Sequence, residues 1–236
     1  ELGGYSRKLH HTIEGADVQA YLKSLIDEVT GHDKIDVLTE AKITGFEGFK
    51  GNFATEVMLG SNAEKRRIEH GVFIVATGAG EYRPKEYLYE DDERVVTQVE
   101  LSDILEEKGA ADLDSVVMIQ CVGSRNDENV ECSRICCQNA VKNALDIKKR
   151  NPDAQVYVLY RDIRTYGLLE DYYTEARELG VLFFRFDPEN PPEVLASEDG
   201  FSVIFRDHVL GKTLRVSPDL LALSAGMTAE DTEELA

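Results

Sequence analysis

Several features that would place this chain in a common class are missing from its sequence. No apolar run approaches the roughly 20 residues of a membrane-spanning helix, and the opening Glu-Leu-Gly-Gly is not a signal peptide. Basic residues are scarce, with 26 Lys and Arg against 45 Asp and Glu and a net charge of -19. Such an acidic surface repels nucleic-acid phosphates and anionic lipid, so we expect neither as a partner.

Cysteine is also rare, and its distribution is informative. Four cysteines are few for a disulfide scaffold of 236 residues, and all of them fall between Cys121 and Cys137. This clustering indicates a metal site rather than a set of disulfide bridges. Hydrophobic residues make up 42% of the chain and charged residues 30%, which is enough apolar material for the core of one large or two small domains.

The first part of the chain has the pattern of a helix followed by strands. Apolar positions recur at helical spacing over 17–29, and β-like runs follow at 35–46, 52–59 and 67–76. The run from Gly71 to Ala76 is almost continuously apolar. Such a run predicts a strand that is buried on both faces.

In the second part, strands and helices alternate. Strands are predicted at 116–120, 156–160 and 181–186, and helices at 99–107, 133–149 and 168–179. This order predicts a parallel sheet with right-handed crossovers. A hairpin around 201–205 and 213–216 and a buried strand at 220–224 are expected to follow.

These patterns predict an α/β protein with two domains. Residues 1–96 should contain the first helix and a β-meander, and residues 97–226 should form a Rossmann-like domain that carries the cysteines. The boundary is expected in the 90s, and residues 227–236 are expected to form an acidic tail.

The cysteines fall where a parallel sheet binds ligands. Cys121 directly follows a predicted strand, at the carboxyl edge of the sheet. The pattern is C-x10-C-x3-C-C, and the polar stretch 126–129 is expected to fold back and bring Cys121 near Cys132. Cys132, Cys136 and Cys137 are predicted at the start of a helix, with Cys132 and Cys136 on one face. The positive end of the helix would stabilise thiolates and a negatively charged cluster.

Four thiolates are the usual ligand set of a [4Fe–4S] cubane, but the spacing alone leaves other uses open. A tetrahedral structural zinc site is one alternative. A disulfide between the adjacent Cys136 and Cys137, or buried or redox-active thiols, are the others.

The glycine-rich nucleotide finger of a Rossmann domain is missing. Such domains carry G-x-G-x-x-G after the first strand, whereas the corresponding stretch here runs from Cys121 to Arg125 and keeps only Gly123. A cysteine therefore replaces the finger, which argues against a pyridine-nucleotide oxidoreductase. Arg161, Arg164 and Tyr166 follow the second strand, where nucleotide domains recognise ribose. Two interpretations of these three residues stay open: they contact a cluster or a partner, or they form a solvated turn.

Longer motifs resemble one known family. The segments 117–125 (VMIQCVGSR), 132–137 (CSRICC), 142–145 (KNAL) and 158–167 (VLYRDIRTYG) are similar to the A subunit of heterodisulfide reductase. Segments 48–53, 74–79 and 81–84 of the first half also look like that family. The match covers nearly the whole chain.

The resemblance implies an α/β flavoprotein of the thioredoxin-reductase-like FAD/NAD(P)-binding fold, with a partial flavin domain. It implies an oxidoreductase that transfers electrons between FAD and one [4Fe–4S] cluster held by Cys121, Cys132, Cys136 and Cys137. No side chain is expected to act as an acid or base. The implied partners are other subunits of a cytoplasmic redox complex, ferredoxin-type or hydrogenase-type electron carriers, and a second copy of the chain in a homodimer.

The resemblance also names residues for the flavin. Gly3 and Gly4 resemble a Gly-Gly pair of the family, and Ala76, Thr77 and Gly78 end the strand beside which FAD would lie. The family's glycine finger and its flavin-covering segment are not in this sequence, so the chain is interpreted as an internal fragment that is inactive alone. The alternative function is a zinc-stabilised or cofactor-free α/β module for protein–protein assembly.

Overall fold

The computed structural model describes residues 1–60, 64–197 and 200–229. The chain forms two compact units. Of the described residues, unit 1 contains those within Glu1–Lys8 and Asp17–Gly80 together with Ala229, whereas unit 2 contains those within Leu9–Ala16 and Glu81–Thr228. The units change after Gly80, before the boundary expected in the 90s, because Tyr89, Val95 and Val96 are buried in the core of unit 2. The assignment of the first part to a flavin domain stays a prediction.

Unit 1 contains a helix and a three-stranded antiparallel sheet. Helix α1 spans Val18–Gly31, and the Asp17 carboxylate caps it by accepting a 2.8 Å hydrogen bond from the Ala20 amide. The strands β1 (Ala41–Phe49), β2 (Asn52–Leu59) and β3 (Glu64–His70) follow in meander order. The predicted helix and meander are therefore confirmed.

The predicted buried strand at 71–76 is wrong. Residues 72–78 have no strand pairing in the described part of the chain, and Val72 and Ile74 are 73% and 81% exposed. A strand that is buried on both faces needs neighbouring strands and covering layers. The apolar run stays in solvent because the described residues supply neither.

Unit 2 contains most of the regular structure. At the limits of this unit, short strand β4 (Ala79–Glu81) pairs with strand β13 (Met227–Ala229), and Ala79, Gly80 and Ala229 of these strands belong to unit 1. Between them lie β5 (Val95–Thr97), α2 (Gln98–Lys108), β6 (Ser115–Val122), α3 (Cys136–Arg150), β7 (Gln155–Tyr160), α4 (Glu170–Glu178), β8 (Leu182–Arg185), β9 (Glu193–Ser197), β10 (Gly200–Asp207), β11 (Lys212–Val216) and β12 (Leu220–Ala225).

The main sheet is parallel, as predicted. Its strand order is β5-β12-β6-β7-β8, and every neighbouring pair is parallel. Strand β12 follows the other four strands in sequence but lies between β5 and β6 in the sheet. Strand β6, which carries Cys121, therefore has a neighbour on each side and lies in the middle of the sheet.

The two faces of this sheet are covered by different layers. Val116 and Met118 of β6 pack with the helices α2, α3 and α4, whereas Val117 and Ile119 pack with the sheet β9-β10-β11. This alternation follows from the pleat of a strand. The predicted hairpin is confirmed as β10 and β11, and β9 adds a third antiparallel strand.

Two further findings concern the chain as a whole. Among the described residues, no helix combines the length and the apolar character that crossing a membrane requires. The predicted acidic tail begins with strand β13, and its remaining residues, 230–236, lie outside the described residues.

Candidate metal centre

Cys121 lies at the carboxyl edge of the parallel sheet, as predicted. Strand β6 continues past it to Val122, and the pairing with β12 is irregular between Leu223 and Ala225. Cys121 has φ +65°, in the left-handed region of backbone conformation that residues other than glycine rarely adopt. A backbone conformation of this kind is maintained only where surrounding contacts enforce it, and it is common at functional sites.

The polar loop after β6 forms a local turn, and the predicted approach of Cys132 to Cys121 stays a prediction. The Asn126 side chain accepts hydrogen bonds from the amides of Glu128 (3.1 Å) and Asn129 (2.7 Å). The Asn129 amide group in turn donates to the carbonyl oxygen of Gly123 at 3.0 Å. Such turns built on an asparagine side chain close short loops locally.

The start of the next helix differs from the prediction. Helix α3 begins at Cys136, so Cys132 lies in the preceding loop and not on a helical face shared with Cys136. The reason is local, because Arg134 has φ +62°, which a right-handed helix cannot contain. Cys136 and Cys137 are the first two residues of α3, and that part of the prediction is confirmed.

Three hydrogen bonds attach this region to the end of β12. The Cys136 thiol donates to the Ala225 carbonyl at 3.3 Å, and the Gly226 amide donates to the Val122 carbonyl at 3.0 Å. The Met227 amide donates to the Ser133 hydroxyl at 2.7 Å. The loop that carries Cys132 is therefore bound to the same sheet edge as Cys121.

The four thiols share one electrostatic environment. Burial raises the pKa of Cys136 to about 12, with a smaller contribution from repulsion by the thiolates of Cys137, Cys121 and Cys132. Burial also raises the pKa of Cys137 to about 11, with Cys121 and Cys132 contributing. The pKa of Cys121 is raised by burial, against the effect of Arg125. A bound metal displaces such thiol protons.

Positive groups surround the thiols. The Arg125 guanidinium lies 3.7 Å from the Cys121 sulfur, and both Arg125 and Arg164 bind the carboxylate of Asp162. Burial acts to raise the pKa of Asp162, but the hydrogen bonds from these arginines outweigh it and lower the pKa. Sequence reasoning did not single out Arg125 or Asp162 as site residues, since only the folded loop brings them beside Cys121.

The amino terminus of α3 adds positive potential. Ile135 at the cap position makes no side-chain capping hydrogen bond, and the first turn contains no acidic residue. The first N–H groups of a helix carry partial positive charge, which favours anionic ligands there. This end of α3 therefore complements thiolates or a negatively charged cluster.

The four cysteines are free thiols. Over the ranges 1–60, 64–197 and 200–229, no three His, Cys, Asp or Glu side chains are grouped so that they could hold a metal ion. His10 and His11 contact carboxylates. His10 lies 2.6 Å from Asp103, and His11 lies 3.4 Å from Asp146.

Comparison with curated proteins shows several related sequences. The chain is 35% identical over 202 residues to the A subunit of the H2/formate:CoB-CoM heterodisulfide, ferredoxin reductase of Methanococcus maripaludis, covering 78% of this chain and 30% of that protein. It is 34% identical over 191 residues to the first iron–sulfur A subunit of the CoB–CoM heterodisulfide reductase of Methanopyrus kandleri, covering 71% and 28%. The chain is a relative of the heterodisulfide reductase A subunit.

The extent of this relationship is limited in length. The reductase-like chain spans less than a third of the two proteins just described. The iron–sulfur A subunit of the CoB–CoM heterodisulfide reductase of Methanocaldococcus jannaschii is similar in the same way, with 35% identity over 185 residues that cover 70% of this chain and 28% of that protein. No protein-family model matches the chain.

Solved structures confirm the predicted fold of the reductase-like chain. Thioredoxin reductase of Lactococcus lactis matches with a TM-score of 0.57 and 14% identity, over 95% of this chain and 66% of that one. The FAD-bound cadaverine monooxygenase of Erwinia amylovora matches with a TM-score of 0.54 and 9% identity, over 92% and 59%. The chain has the fold of thioredoxin-reductase-like FAD/NAD(P)-binding proteins.

The residues predicted to contact the flavin all belong to unit 1. Gly3 has φ +104° and opens the 3-10 helix Gly4–Lys8, and Gly4 has φ +47°. Ala76, Thr77 and Gly78 lie at the end of the exposed segment 72–78, with Gly78 at φ +76°. Their role in binding FAD stays a prediction.

One contact explains how unit 2 differs from a nucleotide-binding domain of the same type. The Tyr82 ring packs directly over Gly123, so a Cβ atom added to Gly123 would lie 2.1 Å from the ring. In dinucleotide-binding domains the glycines at this turn let the backbone approach a pyrophosphate. In the reductase-like chain an aromatic ring approaches the glycine instead.

Proposed function

We propose that Cys121, Cys132, Cys136 and Cys137 bind one [4Fe–4S] cluster, and that the chain transfers electrons between this cluster and a flavin as part of a heterodisulfide reductase-like oxidoreductase. The observation that carries the proposal is the placement of Cys121 at the carboxyl edge of the parallel sheet and of Cys136 and Cys137 in the first turn of α3, where the Cys136 thiol contacts the end of β12. A [4Fe–4S] cluster takes four cysteine thiolates as ligands, and the four cysteines of the chain all fall between Cys121 and Cys137. The curated relatives include a protein named as an iron–sulfur subunit of a reductase.

The surroundings of the thiols fit a negatively charged group. The uncapped start of α3 offers backbone N–H groups beside Cys136 and Cys137, and Arg125 adds a full positive charge beside Cys121. Hydrogen bonds and positive charge near cluster sulfurs raise the reduction potential of a cluster. When bound, the cluster would supply one-electron transfer. The protein would hold its ligands in place, limit water access and adjust the potential.

The flavin is proposed to be FAD. The fold supports this choice, since one structural neighbour is an FAD-bound enzyme of the same fold. We propose that Gly3, Gly4, Ala76, Thr77 and Gly78 contact FAD in the whole protein. The two glycines at the start of the chain have positive φ values that allow close backbone approach to a ligand. No acid or base side chain is needed in this scheme, because the cofactors carry the chemistry.

The proposed partners are electron carriers and further protein subunits. Ferredoxin is part of the names of two curated relatives, each of which is the A subunit of its reductase. We propose that this chain operates in a redox complex with further subunits, with a ferredoxin-type or hydrogenase-type carrier as donor or acceptor. A second copy of the chain is a further proposed partner.

Metal analysis tests the cluster directly. The chain is purified or reconstituted without oxygen, and its iron, sulfide and zinc are measured beside a Cys132→Ala variant. We expect about four irons and four sulfides per chain, an absorption band near 400 nm, and loss of most of this iron in the variant. Val130→Ala is the matched control, since Val130 is an exposed residue of the same loop without a thiol.

Three results would contradict the proposal. About one zinc per chain in place of iron would assign the cysteines to a structural zinc site. Absence of metal after reconstitution would leave them as free thiols of an assembly module. Equal loss of iron in the Val130→Ala control would mean that the loop's fold, and not the Cys132 thiol, determines the iron content.

A further inference from the structure

A cleft large enough for a small ligand lies beside the cysteine site in unit 2. This cleft has a volume of about 520 Å³, within the range of small-molecule sites. The charged and titratable residues that line it are Arg125, Arg161, Asp162, Arg185, Asp187 and His208. Three arginines face two carboxylates, so the cleft is locally positive in a chain whose net charge is -19.

The cleft lies at the edge of the sheet where α/β proteins bind ligands. Arg161 directly follows β7, and Arg185 is the last residue of β8. Ligands of open parallel sheets bind outside the carboxyl ends of the strands. The end of the second Rossmann strand, where Arg161 lies, is also the place where nucleotide-binding domains recognise a ribose or its phosphate.

Two of the arginines are not neutralised by the acids around them. Asp162 is bound by Arg125 and also by Arg164, and an Asp187 oxygen accepts the amide of Glu189 at 3.1 Å. Across the described ranges, neither Arg161 nor Arg185 forms an ion pair with a carboxylate. A free guanidinium at an acidic protein's concave surface attracts anions.

Backbone contacts hold both guanidinium groups in place. Arg161 Nη1 donates to the Arg125 carbonyl at 2.6 Å, and Arg185 Nε donates to the Arg161 carbonyl at 3.1 Å. The Nε atom of Arg161 is buried and has no hydrogen-bond partner. The remaining donors of these two arginines are free for a shared ligand.

We propose that this cleft binds the phosphate of a small phosphomonoester or free phosphate, between Arg161 and Arg185 with His208 at the rim. A phosphate is a dianion with several acceptor oxygens, and it matches the forked donors of two guanidinium groups. The contact of Tyr82 with Gly123 makes a whole dinucleotide a poor fit, because the ring occupies the approach that a pyrophosphate uses. The proposed ligand contacts no cysteine, although Arg125 borders both the cleft and Cys121.

Binding of defined probes to the full 236-residue chain tests this site. Isothermal titration at constant ionic strength would compare inorganic phosphate, adenosine 2′-phosphate and adenosine. We expect saturable binding of at least one phosphate probe and none of adenosine. Arg185→Gln should weaken phosphate binding by about ten- to hundredfold, the effect of losing a hydrogen-bonded charge. The phosphate affinity of Arg185→Lys should lie between those of the wild type and Arg185→Gln, because lysine keeps the positive charge but lacks the paired N–H donors of the guanidinium group.

Lys108→Gln is the matched control. It removes one positive charge from an exposed position at the end of α2, away from the cleft lining, and should change affinity less than about twofold. Equal affinity for phosphate and adenosine 2′-phosphate would identify free phosphate as the ligand, and tighter binding of the nucleotide would identify a phosphomonoester. Equal weakening by Arg185→Gln and Lys108→Gln, or no saturable binding of either phosphate probe, would overturn the proposal.

Discussion

Two mainly apolar runs of this chain, each predicted to be a buried strand, differ completely in burial. Residues 116–120 (VVMIQ) form the centre of β6 and are buried, whereas residues 71–76 (GVFIVA) are exposed and form no strand. The local sequence predicts a doubly buried strand in both places. The difference is in the neighbours, since β12 and β7 flank β6 and two layers cover it. Burial of a strand is therefore a property of the sheet around it.

The same substitution in both runs should give the largest contrast. Ile119→Ala removes a side chain that is 0% exposed and should lower the free energy of unfolding of unit 2 by about 2–5 kcal/mol. Ile74→Ala removes one that is 81% exposed and should change stability by no more than about 0.5 kcal/mol. Urea unfolding followed by circular dichroism measures both variants.

Peptide-resolved hydrogen exchange locates the effect. In the wild-type chain, amides of β6 should exchange slowly and those of 72–78 quickly, since only β6 has strand partners in the described structure. Similar losses of stability from Ile119→Ala and Ile74→Ala, or strong protection of 72–78, would show that the apolar run of unit 1 is buried in solution and would remove the contrast.

The parts that could be predicted from the sequence are those fixed by patterns within one unit. The alternation of strands and helices after residue 97 predicted the parallel sheet and its crossovers, and the position of Cys121 after a strand predicted its place at the sheet edge. Patterns of this kind depend on residues a few positions apart. The insertion of β12 between β5 and β6 joins residues more than 100 positions apart, and no local pattern indicates it.

The site was predicted less completely than the sheet. Cys136 and Cys137 were placed correctly, but the helix was started too early, because nothing in the residue type of Arg134 announces its positive φ. Arg125 and Asp162 beside Cys121 were not anticipated as site residues. Arg125 and Asp162 are 37 positions apart and meet only when β6 and β7 pair. Charge contacts of this range follow from topology and cannot be read from spacing.

A second pair of variants compares two glycines of unit 2 and separates the cost of a close contact from the cost of a left-handed backbone. Gly123 and Gly167 have φ of +65° and +59°, but only Gly123 lies against another group, the Tyr82 ring. Gly123→Ala should lower the free energy of unfolding by about 1–3 kcal/mol more than Gly167→Ala, the usual cost of overpacking. Gly167→Ala reports the cost of the left-handed backbone alone.

The double variant Gly123→Ala/Tyr82→Ala separates the two contributions. Removing the Tyr82 ring gives the new methyl group space. Tyr82→Ala should therefore lower the free energy of unfolding less in the Gly123→Ala background than in the wild type. If Gly123→Ala and Gly167→Ala lower the free energy of unfolding equally, the Tyr82 ring moves aside freely. It then does not block the turn that a pyrophosphate would approach.

The smallest expected effect concerns pH and the segment Leu9–Ala16, which belongs to unit 2 although its sequence neighbours belong to unit 1. Burial lowers the pKa of His11, and Lys142 lowers it further, whereas Asp146 and Glu106 act in the opposite direction. The folded chain therefore binds fewer protons at His11 than the unfolded chain. Its contribution to stability is present above the ordinary histidine pKa of about 6.5 and is lost as the pH falls below that value.

Urea unfolding at pH 7.5 and pH 5.5 measures this dependence in the wild type and in His11→Gln. The wild type should lose more stability between the two pH values than the variant, because glutamine does not titrate. His32→Gln is the control, since His32 lies beyond the end of α1 in unit 1 with a side chain that is 48% exposed, and its variant should keep the wild-type pH dependence. If His11→Gln loses as much stability as the wild type, the segment Leu9–Ala16 does not hold His11 against unit 2 in solution, and unit 2 then begins at Glu81.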